Sequence, residues 1–288
     1  YNAGKMQVKN STISGNSHPS RGGGIYNLLA NRTVHLNHTT ISDNSASYGG
    51  GIYNRDKDEN GRDTIWLKNT IVANNSATSE GNDLWGNYIS EDYNLVETPA
   101  GANISGNTAN NIYQTDPALN SLGYYSYYTQ HQPLSSGSPA IDQANESDYL
   151  PLDQLGKKRP KDGDNNGSSL PDIGAVEFME DADNDGISDT EEQGIDGNSS
   201  DYDGNNDGNA DKNQNNVASF KTYDGSYYIT IASPENTSIT QVTVTQGDDL
   251  QAKKRTQTYD LGFISFKVES LQQPSATEVM LYLPDGVT

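Results

Sequence analysis

Leu36-Asn37-His38-Thr39-Thr40-Ile41-Ser42-Asp43-Asn44-Ser45-Ala46-Ser47-Tyr48-Gly49-Gly50-Gly51-Ile52-Tyr53-Asn54 is one copy of a unit that the chain repeats. Ahead of it, Val8 to Asn27 reads V-K-N-S-T-I-S-G-N-S-H-P-S-R-G-G-G-I-Y-N. Behind it, a weaker copy from Leu67 reads L-K-N-T-I-V-A-N-N-S-A-T-S-E-G-N-D-L-W-G. Aligned, Val8, Leu36 and Leu67 coincide, as do Ile13, Ile41 and Val72, then Asn16, Asn44 and Asn75, then Ile25, Ile52 and Leu84. A period of roughly 30 residues is the mark of a solenoid.

The texture of one unit says which solenoid to expect. Apolar residues come as short β-branched or aromatic clusters separated by Asn, Ser, Asp and Gly, and no window carries a helical period over two turns. The expectation is a parallel β-helix with coils stacked at the inter-strand spacing of about 4.8 Å. Asn16, Asn44 and Asn75 then form an amide ladder. The triple glycines Gly22–Gly24 and Gly49–Gly51 allow positive φ and close coil-to-coil approach. Gly81-Asn82-Asp83 replaces them in the third copy, where the solenoid is expected to become irregular.

Composition narrows the partners. The 288 residues carry 39 Asp and Glu against 18 Lys and Arg, a net charge of −21, with 32% hydrophobic residues and no cysteine. Such acidity disfavours nucleic acid and anionic membrane surfaces. The missing cysteine removes disulfides and thiolate metal sites. An acidic, Asn/Ser/Thr-rich, cysteine-free chain points to an extracellular or cell-surface location. Tyr1-Asn2 matches the end of each repeat, so the sequence reads as beginning inside a coil. Leu283 to Thr288 reads as ending without a closing strand, and no transmembrane segment is found.

Between the second and third units, Arg55 to Asp63 reads as a solvated inserted turn. Asn103 to Tyr113, N-I-S-G-N-T-A-N-N-I-Y, reads as a degraded last coil. Four motifs follow in order: Asp116-Pro117-Ala118-Leu119, then Gly137-Ser138-Pro139-Ala140-Ile141-Asp142, then Asp153 to Pro160 (D-Q-L-G-K-K-R-P), then Asp172-Ile173-Gly174-Ala175-Val176-Glu177. Behind repeats that end G-G-G-I-Y-N, this order resembles the bacterial surface family called the choice-of-anchor Q domain. The resemblance covers about residues 1–178. It implies a right-handed β-helix whose last coils are closed by this segment, on a secreted or cell-surface protein, and it implies no activity.

The stretch with the clearest chemistry is Asp181-Ala182-Asp183-Asn184-Asp185-Gly186-Ile187-Ser188-Asp189-Thr190-Glu191-Glu192. It fits a twelve-residue calcium loop: Asp181, Asp183 and Asp185 at positions 1, 3 and 5, Gly186 at the turn, the Ile187 carbonyl at 7, Asp189 at 9 and Glu192 at 12. A second loop repeats the scheme with Asp203, Asn205, Asp207, Asn209 and Asp211. Its neutral Asn205 and Gln214 predict weaker binding, with Asp196 and Asp201 nearby to share. The alternative is an acidic solvated spacer. No helical pattern flanks the loops, so residues 179–216 are similar to thrombospondin type 3 repeats, in which calcium stiffens a linker. The stretch Gly194–Gly204 is expected to loosen when calcium is removed.

Residues 217–288 read as an all-β domain, a β-sandwich, with strands at 227–232, 239–244, 261–268 and 278–283. The N-V-A-S-F start, L-G-F-I-S-F-K-V and V-M-L-Y-L-P are similar to the choice-of-anchor U domain, which implies the same small sandwich. Three functions are weighed: a non-catalytic calcium-stiffened stalk or adhesin, with glycans or like molecules as partners; a polysaccharide lyase or hydrolase; and a subunit of an extracellular filament or sheath. Catalysis requires paired carboxylates or a base beside a cation. Asp43, Arg62, Asp63 and Lys68 show no such spacing, and His18, His35, His38 and His131 form no triad or metal pattern, with His35 expected to face solvent. Tyr124–Tyr128 can stack on sugars, though a packed hairpin is the plainer role. No catalytic centre is expected.

Overall fold

The computed structural model describes residues 5–28, 33–55, 64–123, 129–164, 166–245, 262–270 and 277–283. It is all-β with one short 3₁₀ turn, Asp211–Asn213, among the described residues. Two compact units separate at the 178/179 boundary: Tyr1–Gly123 with Thr129–Phe178, and a unit holding Met179–Thr288.

The first unit carries β1 (Met6–Ser14), β2 (Ile25–Asn27), β3 (Thr33–Ser42), β4 (Ser45–Tyr48), β5 (Ile52–Asn54), β6 (Thr64–Lys68), β7 (Ile71–Ala73), β8 (Ser76–Glu80), β9 (Leu84–Glu91), β10 (Leu95–Val96), β11 (Ala102–Asn107) and β12 (Ile112–Tyr113). Every pairing between these strands is parallel. The register is the one the repeats dictate. Val8 lies opposite Leu36 and Leu36 opposite Leu67; Ile13 opposite Ile41 and Ile41 opposite Val72; Ile25 opposite Ile52 and Ile52 opposite Leu84. These side chains form one apolar cluster with Val34, Ile65, Tyr88 and Val96, and Ile13 packs against it. The segment Asn103 to Tyr113 joins the parallel sheet too, as β11 beside β9 and β12 beside β10.

Polar residues at the bends are chosen by backbone geometry. Asn10, His38 and Asn69 occupy the same corner in successive copies with φ of 46°, 47° and 47°, a left-handed conformation that Asn and His tolerate. His38 is buried and receives the Asn69 amide at Nε2, 2.9 Å away. Burial lowers its pKa to about 2, so it is neutral. The asparagine ladder forms: Asn16 Nδ2 donates to Asn44 Oδ1 and Asn44 Nδ2 to Asn75 Oδ1, each at 3.0 Å. A Cβ on Gly50 would lie 2.3 Å from the Ser76 carbonyl oxygen, so that corner admits only glycine.

The segment expected to close the last coils lies instead along the flank of the ladders. Ile173, Ala140 and Leu134 bury against Ile71, Ala73 and Leu95. Gly174 N–H donates to Asn69 O, and Ala175 N–H to Thr40 Oγ1. Farther along, Gln154 accepts from Thr12 at 2.7 Å, and Leu152 O accepts from Asn10 at 2.6 Å. The four motifs supply the polar interior of this strap. Arg159 donates to Glu177 Oε1 at 2.5 Å and to the carbonyls of Asp172 and Gly174. Asp153 Oδ2 accepts Glu177 N–H, and Asp172 Oδ1 accepts Asp142 N–H.

In the second unit, β13 (Val217–Lys221), β14 (Tyr228–Ala232) and β17 (Met280–Tyr282) form an antiparallel sheet in the order β13-β14-β17. β15 (Thr237–Thr245) pairs antiparallel with β16 (Phe263–Ser270). Both pairings contribute to one apolar cluster, Ala218, Phe220, Ile229, Ile231, Ile239 and Val242, joined by Ile187 from the Asp-rich stretch. The strands are close to those expected, and β13 lies on the N-V-A-S-F segment. Leu261, Arg62, Asp63, Tyr124–Tyr128 and the rest of the inserted turn beyond Arg55 lie outside the described residues.

Candidate metal centre

The Asp-rich stretch is not a free linker; it is seated on the sheet behind it. Ile187 buries its side chain among Ala218, Phe220 and Ile229, Val242 N–H donates to Asp185 O at 3.2 Å, and Tyr228 OH donates to Glu191 O at 2.8 Å. Tyr202 meets Tyr228 edge-on at 4.9 Å. Gly194, at the start of the stretch expected to loosen, leaves no room for a Cβ beside the Tyr202 ring. The sequence reading missed this because Ile187 and Tyr202 are isolated apolar residues with no period.

Both expected loops adopt the same wrap. Gly186 N–H donates to Asp181 Oδ2 at 3.0 Å, and Gly208 N–H to Asp203 Oδ2 at 2.8 Å. Asp185 N–H donates to Asp183 Oδ1 and Asp207 N–H to Asn205 Oδ1. Ile187 N–H donates to Asp185 Oδ1 and Asn209 N–H to Asp207 Oδ1. Backbone N–H groups therefore hold both oxygens of Asp181 and Asp203 and one side-chain oxygen each of Asp183, Asp185, Asn205 and Asp207.

The loops differ in burial. Carboxylate oxygens of Asp181, Asp183 and Asp185 lie within 4.8 Å of one another. Glu192 and Asp183 are 1% and 4% exposed, and each keeps one buried oxygen, Oε2 and Oδ2, without a hydrogen-bond partner. Burial first, then the neighbouring carboxylates, pushes Asp183 up to about 9 and Glu192 up to about 10. Asp185 is pushed up to about 8, mainly by burial. Asp189 gives Oδ1 to Ala182 N–H and adds its charge to the field at Asp185. Stranded buried carboxylate oxygens are costly unless a cation meets them. A donor set of hard oxygens at this spacing suits Ca²⁺. The residues of the first loop fit the ion.

In the second loop Asp207 is exposed and Asp203 and Asn205 are half-buried, and Gln214 Nε2 donates to Asp207 Oδ1 at 3.4 Å. Asp211 alone is fully buried, its Oδ2 accepting Gly204 N–H at 2.9 Å and its Oδ1 without a partner. The described residues bring no three acids of this loop together.

Comparison with family models, with curated proteins and with solved structures returns no match to this chain. The choice-of-anchor resemblance therefore rests on the quoted motifs alone. No helix among the described residues is long and apolar enough to cross a membrane.

Sequence reading passed over another loop of the same kind. In Asp162-Gly163-Asp164-Asn165-Asn166-Gly167, Gly167 N–H donates to Asp162 Oδ2 and Asn166 N–H to Asp164 Oδ1, as in the calcium-type loops. The carboxylates of Asp142, Asp162 and Asp164 come within 4.8 Å. Here backbone N–H groups meet the buried charge: Asp142 Oδ2 accepts Gly163 and Asp164.

Of the residues weighed for catalysis, Asp43 and Lys68 are among those described, and both have structural partners. Asp43 Oδ2 accepts Gln132 Nε2 at 2.6 Å, and Lys68 pairs with Asp148. His35, half-buried rather than free in solvent, stacks on Trp66 at 5.6 Å.

Proposed function

We propose that the chain is a non-catalytic, calcium-binding extracellular surface protein, a stalk or adhesin. In this reading the parallel ladders are the walls of a right-handed β-helix, and the two antiparallel pairings behind the loops form a small β-sandwich. One observation carries it: the first loop presents buried, partnerless oxygens of Asp183 and Glu192 beside Asp181 and Asp185. Loops of this kind in extracellular modules bind calcium at roughly 10⁻⁴–10⁻³ M or tighter, which extracellular calcium fills. The engagement of Asp43 and Lys68 with structural partners supports a non-catalytic role over a polysaccharide lyase.

A glycan ligand has its own support in the second unit. A cavity of about 270 Å³ there is lined by Tyr202, Tyr227, Tyr228 and Tyr282, with Ser226 and Thr230 among the other lining residues and no basic side chain. Tyrosine faces with hydroxyl neighbours suit a neutral sugar. The filament reading has no comparable observation in its favour.

The test is calorimetric unfolding of the chain with calcium and with chelator. Calcium at a hundred times its dissociation constant is expected to stabilise by about 2.7 kcal/mol. Identical unfolding in both conditions ends the calcium reading. Depolymerisation of a uronic-acid polymer by the purified chain ends the non-catalytic one.

A further inference from the structure

The last ligand of the first loop and the ninth-position residue of the second loop meet at one buried residue, Ser219 on β13. Glu192 Oε1 accepts Ser219 N–H at 3.1 Å, and Asp211 Oδ2 accepts the Ser219 hydroxyl, which also contacts Thr230 Oγ1 at 2.6 Å. Each carboxylate thus has one oxygen tied to Ser219. The other oxygen of each, Glu192 Oε2 and Asp211 Oδ1, is buried without a partner. Ser219 itself is fully buried in the β13–β14 ladder, opposite Thr230.

We propose that Ser219 is a positioning residue that couples the two loops, so that filling either one raises the calcium affinity of the other. The inference rests on the calcium reading above. Its physical content is orientation. A carboxylate held by one oxygen presents the other in a fixed direction, and outer hydrogen bonds of this kind change metal affinity by roughly 10–100-fold. Because both carboxylates are held by one residue, an ion that pulls on Glu192 loads the strand that also aims Asp211. Coupling of this sort is reciprocal by thermodynamic necessity. It also makes the second loop dependent on a residue that lies outside it, on β13.

Calcium is titrated calorimetrically into the whole chain and into Asp183→Asn and Asp203→Asn, which silence the first and second loop respectively. Each is expected to leave the remaining loop about tenfold weaker than in the parent. Ser219→Ala keeps the N–H to Glu192 and loses the hydroxyl to Asp211. It is expected to abolish that difference between single-loop and two-loop chains while leaving unfolding in chelator nearly unchanged. Ser219→Thr, which retains the hydroxyl, is expected to restore it. Asp211→Asn, an isosteric change, gives a second route if Ser219→Ala does not fold: it is expected to weaken the first loop as well. Affinity at the first loop that is the same with and without a working second loop overturns the proposal. Absence of any calcium binding by the parent chain overturns the calcium reading instead, so the two failures are distinguishable.

Discussion

Asn75 donates its side-chain amide to Asp83 Oδ1 at 2.9 Å, and the asparagine ladder that began at Asn16 ends on that carboxylate. Asp83 is fully buried, and its Oδ2 accepts Thr98 N–H at 2.6 Å. Burial, the largest influence, raises its pKa to about 6 against the pull of these N–H donors.

A raised carboxylate pKa means that the fold favours the protonated form. The stability from Asp83 is complete below its unfolded value of 3.8 and is lost as pH rises through about 6. The difference is worth about 3 kcal/mol. Asp83→Asn is expected to flatten that part of the profile, measured as urea unfolding between about pH 4 and pH 7 relative to the parent. Parallel profiles for the two proteins would show that Asp83 does not titrate with folding.

Gly50 and Gly15 separate two reasons for glycine. At Gly15, φ is 71° with nothing within 4 Å of an added Cβ, so Gly15→Ala is expected to cost about 1 kcal/mol of backbone strain. At Gly50 the added Cβ meets the Ser76 and Asn82 carbonyl oxygens at 2.3 and 2.5 Å. Gly50→Ala is expected to cost more than about 3 kcal/mol, because the Gly50 backbone must part from those of Ser76 and Asn82. Equal losses in denaturant titration would mean that the backbones are not packed at this corner.

Arg159 and Glu177 form a fully buried ion pair inside the flanking strap. Arg159→Met removes one partner and is expected to destabilise by about 3–5 kcal/mol, since a carboxylate is left without its cation. Adding Glu177→Gln is expected to recover part of the loss. If the double variant falls by the sum of the two single changes, the pair is not coupled.

Asp183→Asn is expected to act in opposite directions with and without calcium. In chelator it removes a carboxyl that burial, then Asp185 and Asp181, force to take up a proton on folding at neutral pH, and should stabilise by about 1–3 kcal/mol. In calcium the parent gains stability and the variant gains little. Thermal unfolding in both buffers checks this, and a loss of stability in chelator contradicts it.

The ladders were legible because their determinants recur. Ile13, Ile41 and Val72 align in the sequence and lie opposite one another in the sheet, and Asn16, Asn44 and Asn75 hand on their amides as the alignment requires. The wrap at Asp181–Glu192 was legible because its acids and Gly186 stand at fixed offsets. What escaped reading depends on single contacts between distant segments. Nothing in the sequence marks Ser219 as the meeting point of Glu192 and Asp211. Nor does the motif around Asp172 tell whether its segment plugs an end or lies along a side. That choice is made by Ile173 fitting against Ile71 and Leu95. The Asp162–Gly167 loop carried a readable pattern and was overlooked because only two of its ligand positions are acidic.

The amide stack has a polarity. Each asparagine receives at Oδ1 from the copy before it and donates from Nδ2 to the copy after it, and Gly24 and Gly51 leave space for the next amide. At the same corner of the third copy stands Asp83, whose carboxylate occupies the role of the next asparagine and has no N–H to pass on. Gene duplication can therefore lengthen the stack by copying a unit anywhere ahead of Asp83, since every new rung finds the neighbours it needs. A unit copied in behind it meets an acceptor facing an acceptor. One glycine-to-aspartate exchange is enough to fix where the ladder stops.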